Sequence, residues 1–228
     1  MSLSPSSPTS SGLISLLLEL DIHLPADRNG LVVDHFNYDT VSAPDVHDVL
    51  LLPRPDSLRP GMANLFKGSG TGGEAIALPR AVGQSLGNSN PLLTPILRAP
   101  RTAYSYSPKD DLEGVDDPFG VGSQLSLITT MQARNSARFT VVGSSEFFED
   151  NWFGAQVKRG VEFDGLRTDA RPVGTSNQAF AKEVTGWTFK EIGVLKVGKI
   201  EHHLNEGHPN ERPSNPKIYR VKNDVVRG

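Results

Sequence analysis

The run Met131-Gln-Ala-Arg-Asn-Ser-Ala-Arg-Phe-Thr-Val-Val-Gly-Ser-Ser-Glu-Phe-Phe-Glu-Asp-Asn-Trp-Phe153 decides the fold class, because a strand, a glycine corner and a helix start follow one another in it. Arg138 to Val142 is β-branched and aromatic, as a buried strand requires. Gly143 permits a sharp turn, and Ser144 or Ser145 can cap a helix through its hydroxyl. Glu146, Glu149 and Asp150 then fall where the positive end of a helix favours negative charge. Read this way, the run is an α/β crossover, and the chain is of the α/β class.

Upstream, Leu125 to Ala133 alternates, and Arg134-Asn135-Ser136 makes a turn, which predicts a β-hairpin with the strand above. A helix over Ser123 to Asn135 is the competing assignment. Gly30 to Val33, Val49 to Leu52 and Ala75 to Leu78 read as further strands, the last two ended by Pro53 and Pro79. Apolar residues on both faces of these runs suit a sheet covered on two sides. Prolines 91, 95, 100 and 108 make the stretch between them an extended crossing.

Two helices stand out. Leu13 to Leu24 places Leu13, Leu16, Leu17 and Leu20 on one face. Asn177 to Glu191 aligns Phe180, Val184, Trp187 and Ile192 in a stripe, with Gly193 at the C-cap position. Trp187 belongs to the core and Phe189 to a partner surface. Residues 1–11 are serine- and proline-rich and read as disordered or a loop remnant. Residues 159–176 read as a loop, Val194 to Ile200 as a strand, and Ile218 to Val221 as the first strand of a new unit.

Composition removes whole classes of function. The 228 residues carry 23 basic and 26 acidic side chains, so no basic face is expected for nucleic acid. There is no cysteine, which excludes disulfides, thiol nucleophiles and thiolate metal sites. No apolar run reaches the ~20 residues needed to span a bilayer, and no Asn-x-Ser/Thr sequon occurs.

Candidate chemistry is thin. Gly68 to Gly73 satisfies GxGxxG, yet it precedes a strand and opens no helix, so a loop is favoured. Gly143-Ser144-Ser145-Glu146-Phe147 half resembles a nucleophile elbow, with Phe147 in place of the second glycine. Asp164, Asp169, His202, His203 and His208 are candidate partners downstream, but a capping serine is the stronger reading. Asp34-His35-Phe36-Asn37-Tyr38-Asp39 gathers oxygens and an imidazole after a strand. A single histidine in such a turn reads as a hydrogen-bonding loop residue rather than a metal ligand. Arg134 and Arg138 could hold an anion, with a structural bridge preferred.

The words of the sequence carry a resemblance. VVDHFNYD (32–39), LLLPRP (50–55), ILRAPRTAYSYSPKDD (96–111), QARNSARFTVVGSSEFF (132–148) and AKEVTGWTFKEIGVLKVGKIEHHLNE (181–206) resemble the forty-eight-kilodalton subunit family of eukaryotic oligosaccharyltransferase, the wheat-germ-agglutinin-binding-protein family, its fungal members in particular. The resemblance implies a Rossmann-like GIFT-type domain over residues 12–205, lacking its opening strands. Residues 206–228 would then be a linker and the start of a β-sandwich-like domain. It also implies a non-catalytic, scaffolding subunit without cofactor or metal, lumenal at the endoplasmic reticulum membrane. Its complex transfers a preassembled glycan from dolichyl diphosphate to Asn of Asn-x-Ser/Thr.

The implied partners are the catalytic subunit, a ribophorin-type subunit and small membrane subunits, with attachment through a C-terminal helix that these residues do not include. The expectation is therefore a fragment. Asn135-Ser136 departs from a family pair of asparagines, and the 68–73 loop looks inserted. The motif residues carried over as family-motif or contact positions are Asp34, His35, Asn37, Tyr38, Asp39, Arg134, Asn135, Arg138, Gly143, Ser144, Phe147, Phe148 and Trp187. Alternatives are a module binding glycan or acceptor peptide through Asp34–Asp39 with Arg134, and, least favoured, a serine hydrolase using Ser144 or Ser145.

Overall fold

A computed structural model describes residues 1–7, 9–25, 30–55, 66, 75–106, 117–159, 172–195, 198, 203–204 and 226–227. It divides into two compact units, Met1–Gly193 and Val194–Gly228. The first unit opens with α1 (Ser11–Glu19) and the strands β1 (Ile22–His23), β2 (Leu31–Val33), β3 (Val49–Pro53), β4 (Ala75–Pro79), β5 (Gln84–Leu86), β6 (Leu93–Arg98) and β7 (Tyr104–Tyr106). It continues with β8 (Leu125–Gln132), β9 (Arg138–Val142), α2 (Asp150–Phe153), β10 (Gln156–Val157), β11 (Val173–Gly174) and α3 (Asn177–Thr188). The second unit contributes β12 (His203–Leu204) and β13 (Val226–Arg227), an antiparallel pair. The fold is mixed α/β and strands dominate it.

The expected hairpin forms: β8 and β9 pair antiparallel, with Gln132 opposite Arg138 and Ile128 opposite Val142. Ser136 turns the chain with a φ of 66°, and the competing helix is absent. β8 is the spine of a five-stranded sheet, pairing with β6 along one edge and with β5 and β9 along the other, while β1 extends the sheet beyond β5. The β3–β4 ribbon shows the two-sided burial expected of these runs. Leu50, Leu52, Ile76 and Leu78 join one core cluster with Phe180, Val184 and Trp187 of α3. Val49, Leu51 and Ala77 face another with Ala43 and Val157, the period of two that a strand imposes.

Several expectations need correction. The crossover after Gly143 does not lead to a parallel strand, because every strand ladder among the described residues is antiparallel. The chain instead enters a 3-10 turn, Glu146–Phe148, and the four-residue α2. Gly143 is pinned between neighbours, and an added Cβ would lie 2.6 Å from the Val82 carbonyl oxygen and 2.9 Å from that of Leu127. Helix α1 ends at Glu19 rather than running to Leu24, since Asp21 adopts a φ of 68°. Ile22 and His23 then pair with Leu86 and Ser85.

The N-terminal residues do not hang free. Leu3 is buried with Leu17, Ile22, Val82, Leu93 and Val141, and its amide donates to the Val142 carbonyl at 2.8 Å along the edge of β9. Helix α3 ends at Thr188, so Gly193 is not its cap; Lys190, with a φ of 63°, takes the left-handed position just beyond. Val194 and Leu195 form no strand. The 68–73 loop and Ile218–Val221 lie outside the described residues. Among the described residues no helix is long and apolar enough to cross a membrane.

Candidate functional site

The segment after β2 is built on two buried carboxylates. Asp34 accepts from the Phe36 amide at 2.8 Å, the Asn37 amide at 3.2 Å, Asn37 Nδ2 at 3.0 Å and the Thr102 hydroxyl at 2.8 Å. Asp39 accepts from the amides of Val41 (3.3 Å), Ser42 (3.0 Å) and Lys158 (2.8 Å), and from the Ser42 hydroxyl at 2.5 Å. Both side chains are excluded from water. A buried carboxylate saturated by donors is stabilising only while every partner stays in place, so residues 34–42 are held in one conformation.

That frame carries the rings. His35 and His47 meet through their Nδ1 atoms at 2.5 Å. Their ring centroids are 4.8 Å apart with planes at 82°, which leaves both Nδ1 atoms on the line joining the rings. His35 Nε2 lies 3.0 Å from the Tyr104 hydroxyl, and His47 Nε2 lies 3.0 Å from the Pro44 carbonyl oxygen. A carbonyl only accepts, so His47 carries its proton on Nε2 and, when neutral, presents a lone pair at Nδ1. His35 Nδ1–H then donates to His47, and His35 Nε2 accepts from Tyr104. Tyr38 packs tilted against His47 with ring centroids 4.0 Å apart, and His47 has a left-handed φ of 57°.

The sequence reading saw His35, Tyr38 and the two carboxylates but missed His47, Thr102 and Tyr104. Tyr104 reaches the site because β7 pairs with β2, placing it opposite Val33. His47 returns through the turn at residues 43–48, where no local pattern marks it.

The other residues singled out lie elsewhere. Arg134 is exposed in the turn at the far end of β8, whose eight residues span about 26 Å. The Tyr104 side meets the near end, where Ala99 bonds Leu125 and Ala103 bonds Gly122. The structure therefore does not bring Arg134 to the 34–39 loop. Asn135 Oδ1 accepts from the Ala137 amide at 3.0 Å, shaping the turn. Among the described residues Arg138 bridges no acid; its guanidinium donates to the carbonyls of Trp187 (2.6 Å), Ile192 (2.9 Å) and Gly193 (2.5 Å) and lies 4.6 Å over the Trp187 ring. It ties the last turn of α3 to the segment just beyond it, and its burial lowers its pKa.

Ser144 is buried and its Oγ accepts the Phe147 amide at 3.2 Å. That is the amide-accepting role of a capping serine. Ser145 stands at the N-cap of the 3-10 turn with no side-chain cap bond. Phe147 is buried, with Phe148 5.0 Å and Phe180 6.1 Å from it. Asp164, Asp169, His202 and His208, and the side chain of His203, lie outside the described residues. Among the described residues no group of three or more His, Asp or Glu gathers as a metal cage.

Near His47, Arg80 forms an ion pair with Glu146, whose hydrogen bond raises the Arg80 pKa. Burial raises the carboxyl of Asp48 above its ordinary range. A separate polar cleft of about 480 Å³ lies between Ser85, Asn88, Asn90, Pro95, Arg98 and Gln124.

Comparison with known proteins places this chain. Residues 1–191 match the family model described as OST48, N-terminal domain. The chain is 33% identical to the Arabidopsis thaliana dolichyl-diphosphooligosaccharide–protein glycosyltransferase 48 kDa subunit, over 98% of its own length and 47% of that relative. It is 35% identical to the Danio rerio protein of that name over 86% of the chain and 41% of the relative. For the Caenorhabditis elegans protein the identity is 32%, over 75% of the chain and 36% of the relative. The chain thus spans about half the length of the curated relatives it matches, or less.

Proposed function

Because this chain belongs to the OST48 family through the N-terminal domain, we propose that it is a non-catalytic, scaffolding part of a glycosyltransferase subunit. The complex would move a preassembled glycan from dolichyl diphosphate to Asn in Asn-x-Ser/Thr of nascent proteins, on the lumenal side of the endoplasmic reticulum membrane. Its neighbours would be the catalytic, ribophorin-type and small membrane subunits. The finer fold reading is a GIFT-type, Rossmann-like domain over residues 12–205, with a β domain opening within 206–228.

The observation that carries the scaffolding reading is apolar surface. Leu13, Leu16 and Leu18 of α1 are exposed at 41%, 44% and 51%, and Phe189, just past α3, at 77%. Leu13 and Leu16, three residues apart, share one side of α1, an exposed apolar pair that a neighbouring subunit would cover. The test is purification of tagged full-length protein from microsomes. Co-elution with the catalytic and ribophorin-type subunits is expected, and a cytosolic monomer would refute the proposal.

The second reading, a module for oligosaccharide or acceptor peptide, draws on the rigid 34–39 loop with its presented rings. Without Arg134, it rests on His35, Phe36, Asn37, Tyr38 and Tyr104. Titration of the domain with a free oligosaccharide should saturate, and a linear, non-saturating response would remove this reading.

A further inference from the structure

We infer that His35 and His47 form a two-imidazole site for a divalent d-block cation of borderline softness, Zn²⁺, Ni²⁺ or Cu²⁺, bound in place of the proton their Nδ1 atoms share. This goes beyond the scaffolding and binding readings and depends on neither. Three observations carry it. Both Nδ1 atoms are aimed at one point, 2.5 Å apart on the axis joining the rings. Both distal nitrogens are anchored on oxygen: His47 Nε2 on the Pro44 carbonyl and His35 Nε2 on the Tyr104 hydroxyl, each at 3.0 Å. His47 is already oriented as metal-ligating histidines are, its far ring N–H tied to an oxygen that fixes the tautomer, and His35 has an oxygen in place to receive its own far N–H on binding. The third is the left-handed backbone of His47, φ 57°, an uncommon conformation for a residue with a Cβ, sitting where its ring is aimed.

The proton balance is simple. In the neutral pair His35 carries its proton on Nδ1; on binding, that proton moves to Nε2 through solvent, and the Tyr104 hydroxyl turns so that its oxygen accepts. Both Nδ1 lone pairs are then free for the cation, and no proton leaves the pair. A metal bonded at about 2.0–2.1 Å to each nitrogen sets them roughly 3.3 Å apart at a tetrahedral angle. The rings must therefore part by roughly 0.8 Å relative to the proton-bridged pair, and His35, on the exposed side of the loop, can swing by that amount. No third imidazole or carboxylate joins them among the described residues, so water fills the remaining positions and the site is open and of modest affinity. Imidazole donors favour Zn²⁺, Ni²⁺ and Cu²⁺ over the oxygen-seeking Mg²⁺ and Ca²⁺.

Zn²⁺ titration of the full chain at neutral pH, followed by calorimetry and by the imidazole resonances, tests this. The ring signals of His35 and His47 should move together and saturate, ahead of those of His23. The double variant His35→Ala/His47→Ala should bind one ion fewer, each single variant should weaken that ion at least tenfold, and Tyr104→Phe should weaken it severalfold. Mg²⁺ at equal concentration should leave the rings unmoved. Because the unmutated chain reports through its own resonances, the test holds even if a variant misfolds. Unmoved His35 and His47 signals while other histidines respond would overturn the proposal, as would equal stoichiometry and affinity in the folded double variant.

Discussion

Helices α1 and α3 carry the same kind of apolar spacing and meet opposite fates. In α3, Phe180, Val184 and Trp187 are all buried, against β-ribbon residues Leu50, Leu52, Ile76 and Leu78 in one cluster. Only Leu17 of α1 is buried, while Leu13, Leu16 and Leu18 face outward. An amphipathic pattern states that a helix has an apolar face, and does not state that its own chain covers that face. The first helix is half anchored and half on offer, and the late one is structural throughout.

Substitutions can break this contrast. Trp187→Ala should cost about 3–5 kcal/mol in denaturant unfolding, through the cavity left in the main core, and a loss below about 1 kcal/mol would show that α3 is not docked as described. Leu17→Ala should cost about 2–4 kcal/mol, less if α1 can settle inward. Arg138→Met should cost about 2 kcal/mol, because the Trp187 carbonyl in the last turn of α3 and those of Ile192 and Gly193 beyond it lose a charged donor while the aliphatic stem is kept. Leu16→Ser, one residue from Leu17, should stay within about 0.5 kcal/mol; a cost equal to that of Leu17→Ala would erase the difference between the exposed and the buried leucine of α1.

A pH measurement sharpens the same picture near the candidate site. Burial raises the Asp48 carboxyl, so between the ordinary carboxylate range and that raised value the folded state holds a proton that the unfolded state has lost. Stability contributed by this group is therefore present at lower pH and declines as pH rises through the window, with the full cost above it. Asp48→Asn should remove that decline from the stability profile, and an unchanged slope would mean that Asp48 is solvated like a surface acid.

How far the sequence speaks depends on the range of the interaction. The β8–β9 hairpin and the α3 stripe were legible because alternation, turn chemistry and helical spacing act within a few residues. The end of α1 was not, because Asp21 is held by Ser89 and Asn90, with its carboxylate 2.8 Å from the Ser89 amide, and β1 exists only through its pairing with β5. At the candidate site, Asp34 and Asp39 behave as turn residues should, bonding amides two and three positions on. The meeting of His35 with His47 and Tyr104 depends on strand pairing and a left-handed turn that no local pattern announces. Arg134 shows the reverse case, since its place in a shared motif gave it a partner loop that the length of β8 keeps apart.

The central claim is that the exposed Leu13–Leu16 side of α1 is covered by another protein. The direct measurement is co-purification of full-length protein carrying Leu13→Glu and Leu16→Glu together, alongside the unfolding midpoint of the purified variant. The account predicts an unfolding midpoint close to that of the unmodified protein and recovery of the catalytic and ribophorin-type subunits reduced at least tenfold. Recovery at the unmodified level from the folded variant would contradict it.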